Sequence, residues 1–440
     1  MFSLPKHKLL ILQGIMAYVH RKIYQKKLLR QEKTRVSPCL ICRGTKLLCG
    51  KDRCPILVRL SFQAKVSTKI NSLALEGSSP PSVFVGRIGY PKVAIGPLVP
   101  PIVGDTSFID TPEKWNDITI DRFIDFRSHL VRGRYIVDVH DVDSSNKIVE
   151  YTRELALSKY PVDSEVQFEK KPSGKISFYD HVQPHGPTAP IKELEIGNTR
   201  YEPNIEKAFY DTDLKARDAI LELYKKGVLV SSIQKAFSVG AFGEKKHRKF
   251  VPTRWSITAV DSIISAELRE RTKENPIIDE YRVYKFERFD NRWIVLMMPT
   301  SWRYELIEAW YPKTTWNPYG YDISMYNSYE FYEGRKTYAE IGGCYYAARL
   351  AVNEALNRER RQAGVIVLRE AHPGYILPVG VWNVRESVRS ALKREYEKFD
   401  TLEEALESIR KTMDIPLERW IRNSALLKDA LTQRRIEDFK

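Results

Sequence analysis

The stretch Tyr281-Arg282-Val283-Tyr284-Lys285-Phe286-Glu287-Arg288-Phe289-Asp290-Asn291-Arg292-Trp293-Ile294-Val295-Leu296-Met297-Met298 decides the fold class. Apolar and polar residues alternate on both sides of Asn291, the period of a strand whose successive side chains point to opposite faces. This predicts a hairpin with Phe286 and Trp293 in its arms. Downstream, Tyr338 to Gln362 has the period of a long helix, and Val365 to Arg369 is a short apolar strand. From Val384 onward the pattern is helical. Upstream, strands are expected at Val58 to Val66, Val83 to Val85 and Tyr135 to Val142, while Pro91 to Pro101 reads as an extended, proline-studded stretch with turns at Gly96-Pro97 and Pro100-Pro101. Two more strands are expected around the turn Lys171-Pro172-Ser173-Gly174. Helices are expected from Asp121 to Arg132, Thr152 to Lys159, Glu202 to Lys226, Val230 to Phe237, Ile257 to Thr272 and Pro416 to Leu431. Strands and helices interleave without regular βαβ spacing, so the expected class is α+β, a mixed α/β arrangement.

The chain has 440 residues, 43% of them hydrophobic, enough for a large core and for two domains. The expected order is a basic amphipathic helix over 1–36, a four-cysteine element over 37–57 and a central sheet-and-helix domain over 58–335. A mainly helical region over 336–432 and a flexible tail over 433–440 follow. No apolar run reaches the roughly 18 residues of a spanning helix. Leu9 to Val19 is apolar but contains Gln13 and leads into a dense basic stretch, so Lys8 to Lys33 reads as a basic amphipathic helix, not a secretory leader. A reducing, cytoplasmic compartment is the expectation.

Cys39, Cys42, Cys49 and Cys54 are spaced C-x2-C-x6-C-x4-C. Thiolates are soft ligands suited to tetrahedral zinc, and the first pair has the spacing of a metal-binding knuckle. Arg43, Lys46, Lys51 and Arg53 are placed to offset the charge of four thiolates. Four filled sulfur positions leave no room for substrate, so a structural zinc is expected. Two disulfides and an iron–sulfur cluster are the rival readings. Cys344 stands in an apolar helix and reads as core.

Net charge is +15, from 71 Lys+Arg against 56 Asp+Glu, which points to an anionic partner, nucleic acid first. A solvated surface rich in both signs is the alternative. Gly240-Ala241-Phe242-Gly243, followed by Lys245, Lys246, Arg248 and Lys249, is the strongest local candidate. A glycine-hinged loop brings backbone N–H groups near phosphate, the basic run supplies counter-charge, and Phe242 and Trp255 could stack on bases. Gly86-Arg87-Ile88-Gly89 is a weaker case.

Arg200, Asp211, Asp213 and Arg254 could together hold a phosphate or a metal-bound phosphodiester. The plain alternative is helix-start acids and paired arginines. Asp138, His140, Asp141 and Asp143 at a strand end, His181 and His185 beside Asp180, and Glu370 with His372 are further metal or acid–base candidates. No Walker A, GxGxxG, GxSxG or HExxH pattern occurs, which argues against a P-loop motor, a simple Rossmann enzyme, an α/β-hydrolase and a zincin.

The final residues place Gln433, Ile436 and Phe439 three apart, on one side of a 3₁₀ turn. The pattern resembles the motif by which replication and repair proteins dock onto the sliding clamp PCNA. It departs from that motif at its second aromatic, where Lys440 stands. The segments Glu193-Leu194-Glu195-Ile196-Gly197-Asn198-Thr199-Arg200, Tyr210-Asp211-Thr212-Asp213 and Val251-Pro252-Thr253-Arg254-Trp255-Ser256-Ile257-Thr258 resemble the archaeal Nre family of DNA repair proteins. The cysteine element and the tail fit that family's layout. The resemblance implies a part in DNA damage repair linked to the sliding clamp, and it implies no established chemistry. A metal-dependent nuclease or nucleotide-acting enzyme, and a non-catalytic adaptor, remain the alternatives.

Overall fold

The computed structural model describes residues 41–432 apart from 69, 71, 175–184 and 319. The basic N-terminal helix, Cys39, Asp180, His181, the second arm of the hairpin after Gly174, and the tail with Gln433, Ile436 and Phe439 lie outside the described residues. Within them, twelve α-helices and twelve strands form a mixed α+β fold.

The first sheet is built from β1 (Ala74–Ser79), β2 (Val83–Val85), β3 (Lys92–Val99), β4 (Val131–Asp138), β5 (Val162–Phe168) and β6 (Thr188–Ile196). Its order is β1-β5-β6-β4-β3-β2. Only β4 and β6 run parallel, with Arg132 opposite Thr188. The second sheet contains β7 (Tyr281–Arg288), β8 (Asn291–Met298), β9 (Arg303–Trp310), β10 (Ser324–Glu330), β11 (Gly364–Ala371) and β12 (Glu397–Phe399), ordered β10-β9-β11-β8-β7-β12. Here β9 and β11 are the parallel pair.

The hairpin of β7 and β8 forms as expected, but its turn lies before Asn291. Phe289 and Asp290 take φ of 52° and 54°, the left-handed pair that a two-residue turn matching strand twist requires. Asn291 is already in β8, opposite Arg288. Its Nδ2 donates to the Phe289 carbonyl at 2.8 Å, so the amide pins the turn from outside. Every residue of β11 is buried, because helices cover both faces of the sheet. On one side lie α8 (Gly343–Glu359) and α9 (Val381–Ala391). On the other lie α10 (Leu402–Thr412), α11 (Leu417–Asn423) and α12 (Ala425–Thr432).

Several local expectations are corrected. Val58 to Val66 is not a strand but lies within α1 (Pro55–Ser67). Proline at the first helical position after Cys54 is preorganised for a helix start. Val58, Phe62 and Val66 then fall four apart on one face, the first two against the cluster of Trp115 and Phe123 and the third in the core under the first sheet. The stretch Glu202 to Lys226 is two helices, α4 (Pro203–Tyr210) and α5 (Ala216–Lys225). Asp211 Oδ1 accepts from the backbone of Asp213 and Leu214 and turns the chain between them. The strand expected to run to Val142 ends at Asp138, and a 3₁₀ turn over Asp141–Asp143 follows. The helix expected over Pro416 to Leu431 breaks at Ser424. The last helical region also includes β12, paired with β7.

Of the remaining helices, α2 (Ile120–His129) packs beside α1, α3 (Lys147–Leu157) covers the first sheet, and α6 (Val230–Ser238) lies on α7 (Thr253–Lys273). The two halves meet where α7 packs on α8 and α8 on α9. Asp261 of α7 is fully buried there and receives both Arg385 Nη1 contacts, at 2.8 and 3.1 Å, and Gln234 Nε2 at 2.8 Å. Arg389 pairs with Glu354 at 2.6 Å and with Glu386 at 2.9 Å. A buried charge is tolerated only when it is paired in this way.

Candidate functional site

Three cysteines of the N-terminal element are described, and all three are free thiols. Cys42 is buried at the head of two tight reversals. Arg43 and Gly44 have φ of 50° and 80°, and Leu47 and Gly50 have φ of 45° and 67°. Those reversals fold the following backbone around the sulfur. Hydrogen bonds from the Leu48 backbone first, then from Gly44, Lys46 and Leu47, hold the Cys42 thiol below its usual range against the opposing effect of burial. Backbone N–H groups aimed at a sulfur stabilise the thiolate, the form that binds metal. Cys54 caps α1. The element is seated by Lys51 Nζ, which donates to the Ile376 carbonyl at 3.3 Å, and by Arg53, which pairs with Asp121 at 2.8 Å. These two cations, expected beside the sulfurs, thus anchor the element to both halves of the chain.

The basic loop divides by role. Lys245, Lys246 and Lys249 are exposed. Arg248 is buried and donates to the carbonyls of Gly243 (2.8 Å), Phe209 (2.7 Å) and Asp211 (2.6 Å). It staples the loop to the end of α4 and is not placed to reach a phosphate. Phe242 is also buried, so it offers no stacking face. Trp255 is 44% exposed and sits 5.2 Å from Tyr90, itself 43% exposed. The glycine turn Gly86 to Tyr90 is held there by Val85 N, which donates to Thr253 Oγ1 at 3.0 Å. Two motifs far apart in sequence therefore share one surface, an aromatic pair with exposed Arg87 and Arg254 beside it in the chain.

Arg200, Asp211, Asp213 and Arg254 are all exposed. Asp211 shapes the turn after α4, and neither aspartate pairs with Arg200. Arg254, in the first turn of α7, acts on the Cys344 thiol next to Glu308, within the second sheet's packing. Burial pushes that thiol up, and Cys344 packs, partly buried, against the core of the second half. The Asp138 to Asp143 group is likewise spent locally. Asp138 accepts from His140 N at 3.0 Å, and Asp143 pairs with Arg153 at 3.1 Å.

Among the described residues, Glu370, His372 and Asp414 each bring one ligand atom within 4.8 Å of the others. Glu370 and His372 are 3.3 Å apart, as their sequence spacing suggested. Arg292 pairs with Asp414 and lies 3.9 Å from Glu370, which also accepts from Ile415 N at 2.8 Å. His372 stacks on Tyr311 at 4.4 Å. With an arginine already inside it, this group fastens the segment after α10 to the end of β11.

His185 is half-buried, and its Nδ1–H donates to the Gly186 carbonyl at 2.8 Å. Burial first, then Arg132, Arg127 and Arg59, push its imidazole down to about 4, with the Gly186 bond opposing. An imidazole in an unfolded chain titrates at about 6.5. Between those values the unfolded state binds the extra proton. Stability is therefore full above pH 6.5 and falls by up to about 3 kcal/mol as pH drops towards 4. Denaturation midpoints at pH 7 and pH 5 test this. His185→Leu is expected to flatten the difference, and an unchanged slope would remove His185 as its source.

The comparisons with known proteins cover nearly the whole chain. The archaeal Nre N-terminal family model matches residues 48–317, and the archaeal Nre C-terminal model matches residues 330–439. The chain is 44% identical to the DNA repair protein NreB of Archaeoglobus fulgidus over 91% of its own length and 99% of that protein. It is 38% identical to the DNA repair protein NreA of the same organism, over 86% and 94%. With the DNA repair protein NreA of Haloferax volcanii the figures are 34%, 83% and 89%. No solved structure matches. No helix among the described residues is long and apolar enough to cross a membrane.

Proposed function

The chain belongs to the archaeal Nre family, and from that premise we propose that it is a DNA repair factor brought to DNA by the sliding clamp PCNA. The similarity to three DNA repair proteins along most of their length supports the repair role. One observation carries the DNA contact, the exposed Tyr90–Trp255 pair with the exposed Arg87 and Arg254 that neighbour its two rings in the chain. Aromatic faces accept any base, and surrounding cations track the phosphates, the combination used to bind single strands without sequence preference. Zinc held by Cys39, Cys42, Cys49 and Cys54 is structural in this reading. The backbone donors around Cys42 suit a bound thiolate.

Clamp docking is assigned to Gln433, Ile436 and Phe439, which follow α12 directly. Replacing all three with Ala is expected to abolish clamp binding in calorimetry and to leave the melting temperature unchanged. A triple variant that binds as tightly as the parent removes the docking assignment. For DNA, Trp255→Ala is expected to weaken single-strand binding by about 1–3 kcal/mol. Each of Lys245→Ala, Lys246→Ala and Lys249→Ala should reduce the salt dependence by about one phosphate, and Arg248→Ala should act through stability instead. Affinity that does not change with salt would exclude this surface as a phosphate-contacting one.

A further inference from the structure

The turn that joins β2 to β3 is exposed from Arg87 to Lys92, yet it is fastened on both sides. Its arms carry Val83, Val85, Val93 and Ile95, all buried in the core of the first half. Gly86 N donates to the Ala94 carbonyl at 2.7 Å, and Lys92 N donates to the Gly89 carbonyl at 3.0 Å, which closes the turn. Gly89 takes φ of 88°, and a Cβ there would meet the Lys92 carbonyl oxygen at 2.7 Å, so glycine is required. Val139 N, just past β4, donates to the Pro91 carbonyl at 3.0 Å. Val85 N, on the other arm, is held by Thr253 of α7.

Ile88 stands in this turn at 90% exposure, the most exposed large aliphatic side chain among the described residues. A single exposed apolar residue needs no explanation by itself. This one lies two residues before Tyr90, at most about 7 Å away along the chain, and Tyr90 forms the exposed pair with Trp255. An aliphatic tip and an aromatic face are therefore fixed on one anchored turn. Their separation is within two base steps of roughly 3.4 Å each. The turn itself carries charge of one sign. Arg87 and Lys92 are exposed, and no acid occurs from Val83 to Val99. Asp138, opposite Lys92 on β4, is the carboxylate that faces it across the ladder.

We propose that this turn is a wedge for DNA at the point where a duplex opens into a single strand. Ile88 enters against the last base pair, the Tyr90–Trp255 pair receives the first unpaired base, and Arg87 and Lys92 follow the backbone. An apolar side chain inserted at a base step unstacks it. That cost is offset when the side chain leaves water and the freed base finds an aromatic face. A wedge must also resist being pushed back, which the glycine-closed turn and its fastenings to Thr253 and Val139 provide. A blunt duplex gives the aromatic pair no unpaired base, and a single strand gives Ile88 no base pair to lean on. The surface therefore selects the junction of the two. This selection rests on the single-strand reading of Tyr90 and Trp255 given above and adds a preferred form of DNA to it.

The test compares binding of the full chain to a single strand, a blunt duplex and a duplex with one unpaired arm, all of one sequence, by fluorescence anisotropy. The parent binds the armed duplex about tenfold more tightly than either of the others. Ile88→Ser loses that preference, while its single-strand affinity and melting temperature stay those of the parent, because the side chain lies in solvent. Ile88→Leu keeps an apolar tip and keeps the preference. Permanganate oxidation of a thymine in the last base pair reads the unstacking itself. The parent raises that oxidation and Ile88→Ser does not. A parent without preference for the armed duplex, or an Ile88→Ser variant that matches the parent in either readout, overturns the wedge and leaves the single-strand reading standing. If Trp255→Ala binds single strands as tightly as the parent, the single-strand reading fails and the wedge fails with it.

Discussion

Arg385→Met is expected to destabilise the protein by about 3–5 kcal/mol, the effect of leaving a buried charge without its partner. Arg385 is 1% exposed and Asp261 0%. Burial already pushes the Asp261 carboxyl up to about 6 even with Arg385 and Arg389 opposing it. Without Arg385, Gln234 alone remains as a donor to that carboxylate. Glu386 keeps Arg389, so the damage centres on Asp261. The double variant Arg385→Met/Asp261→Leu should be more stable than Arg385→Met, since exchanging a whole buried pair for apolar side chains is often neutral. Denaturant midpoints at unchanged slope measure both. A single variant within 1 kcal/mol of the parent, or a double variant less stable than the single, would show that this pair does not hold α7 to α9.

The second large effect concerns the cysteine element. The purified protein is expected to carry one zinc per chain, and Cys42→Ser or Cys54→Ser to lose it. Structural zinc contributes about 10–16 kcal/mol of apparent binding energy in isolated zinc-finger peptides. The element here is also held by Lys51 on Ile376 and Arg53 on Asp121, so the loss should loosen residues 41–54 and the start of α1, not unfold the whole chain. Metal analysis of parent and variants, with proteolysis near α1 as the structural readout, decides it. Iron with visible absorbance would replace zinc by a cluster. Metal-free protein with the same proteolysis pattern as the variants would remove the metal altogether.

The Asp261–Arg385 pair and the cysteine element both join parts of the chain that are distant in sequence. The exposed Tyr90–Trp255 surface, by contrast, belongs to the first half.

Local chemistry was enough for much of this protein. Alternation in β7 and β8 and the apolar run of β11 specified strands, because strand period is a property of neighbouring residues. Cysteine spacing marked the N-terminal element, and short motifs such as Glu193 to Arg200 marked the family. Val58 to Val66 misled because its apolar residues suit a strand as well as a helix, and the proline after Cys54 was the signal that separated them. The roles of the charges were decided only by the tertiary structure. Arg248 stands in the same basic run as Lys245 and Lys249, yet it is buried against carbonyls from Phe209 and Asp211. Secondary structure follows from residues a few positions apart, whereas charge pairing depends on side chains such as 261 and 385 that meet only after folding.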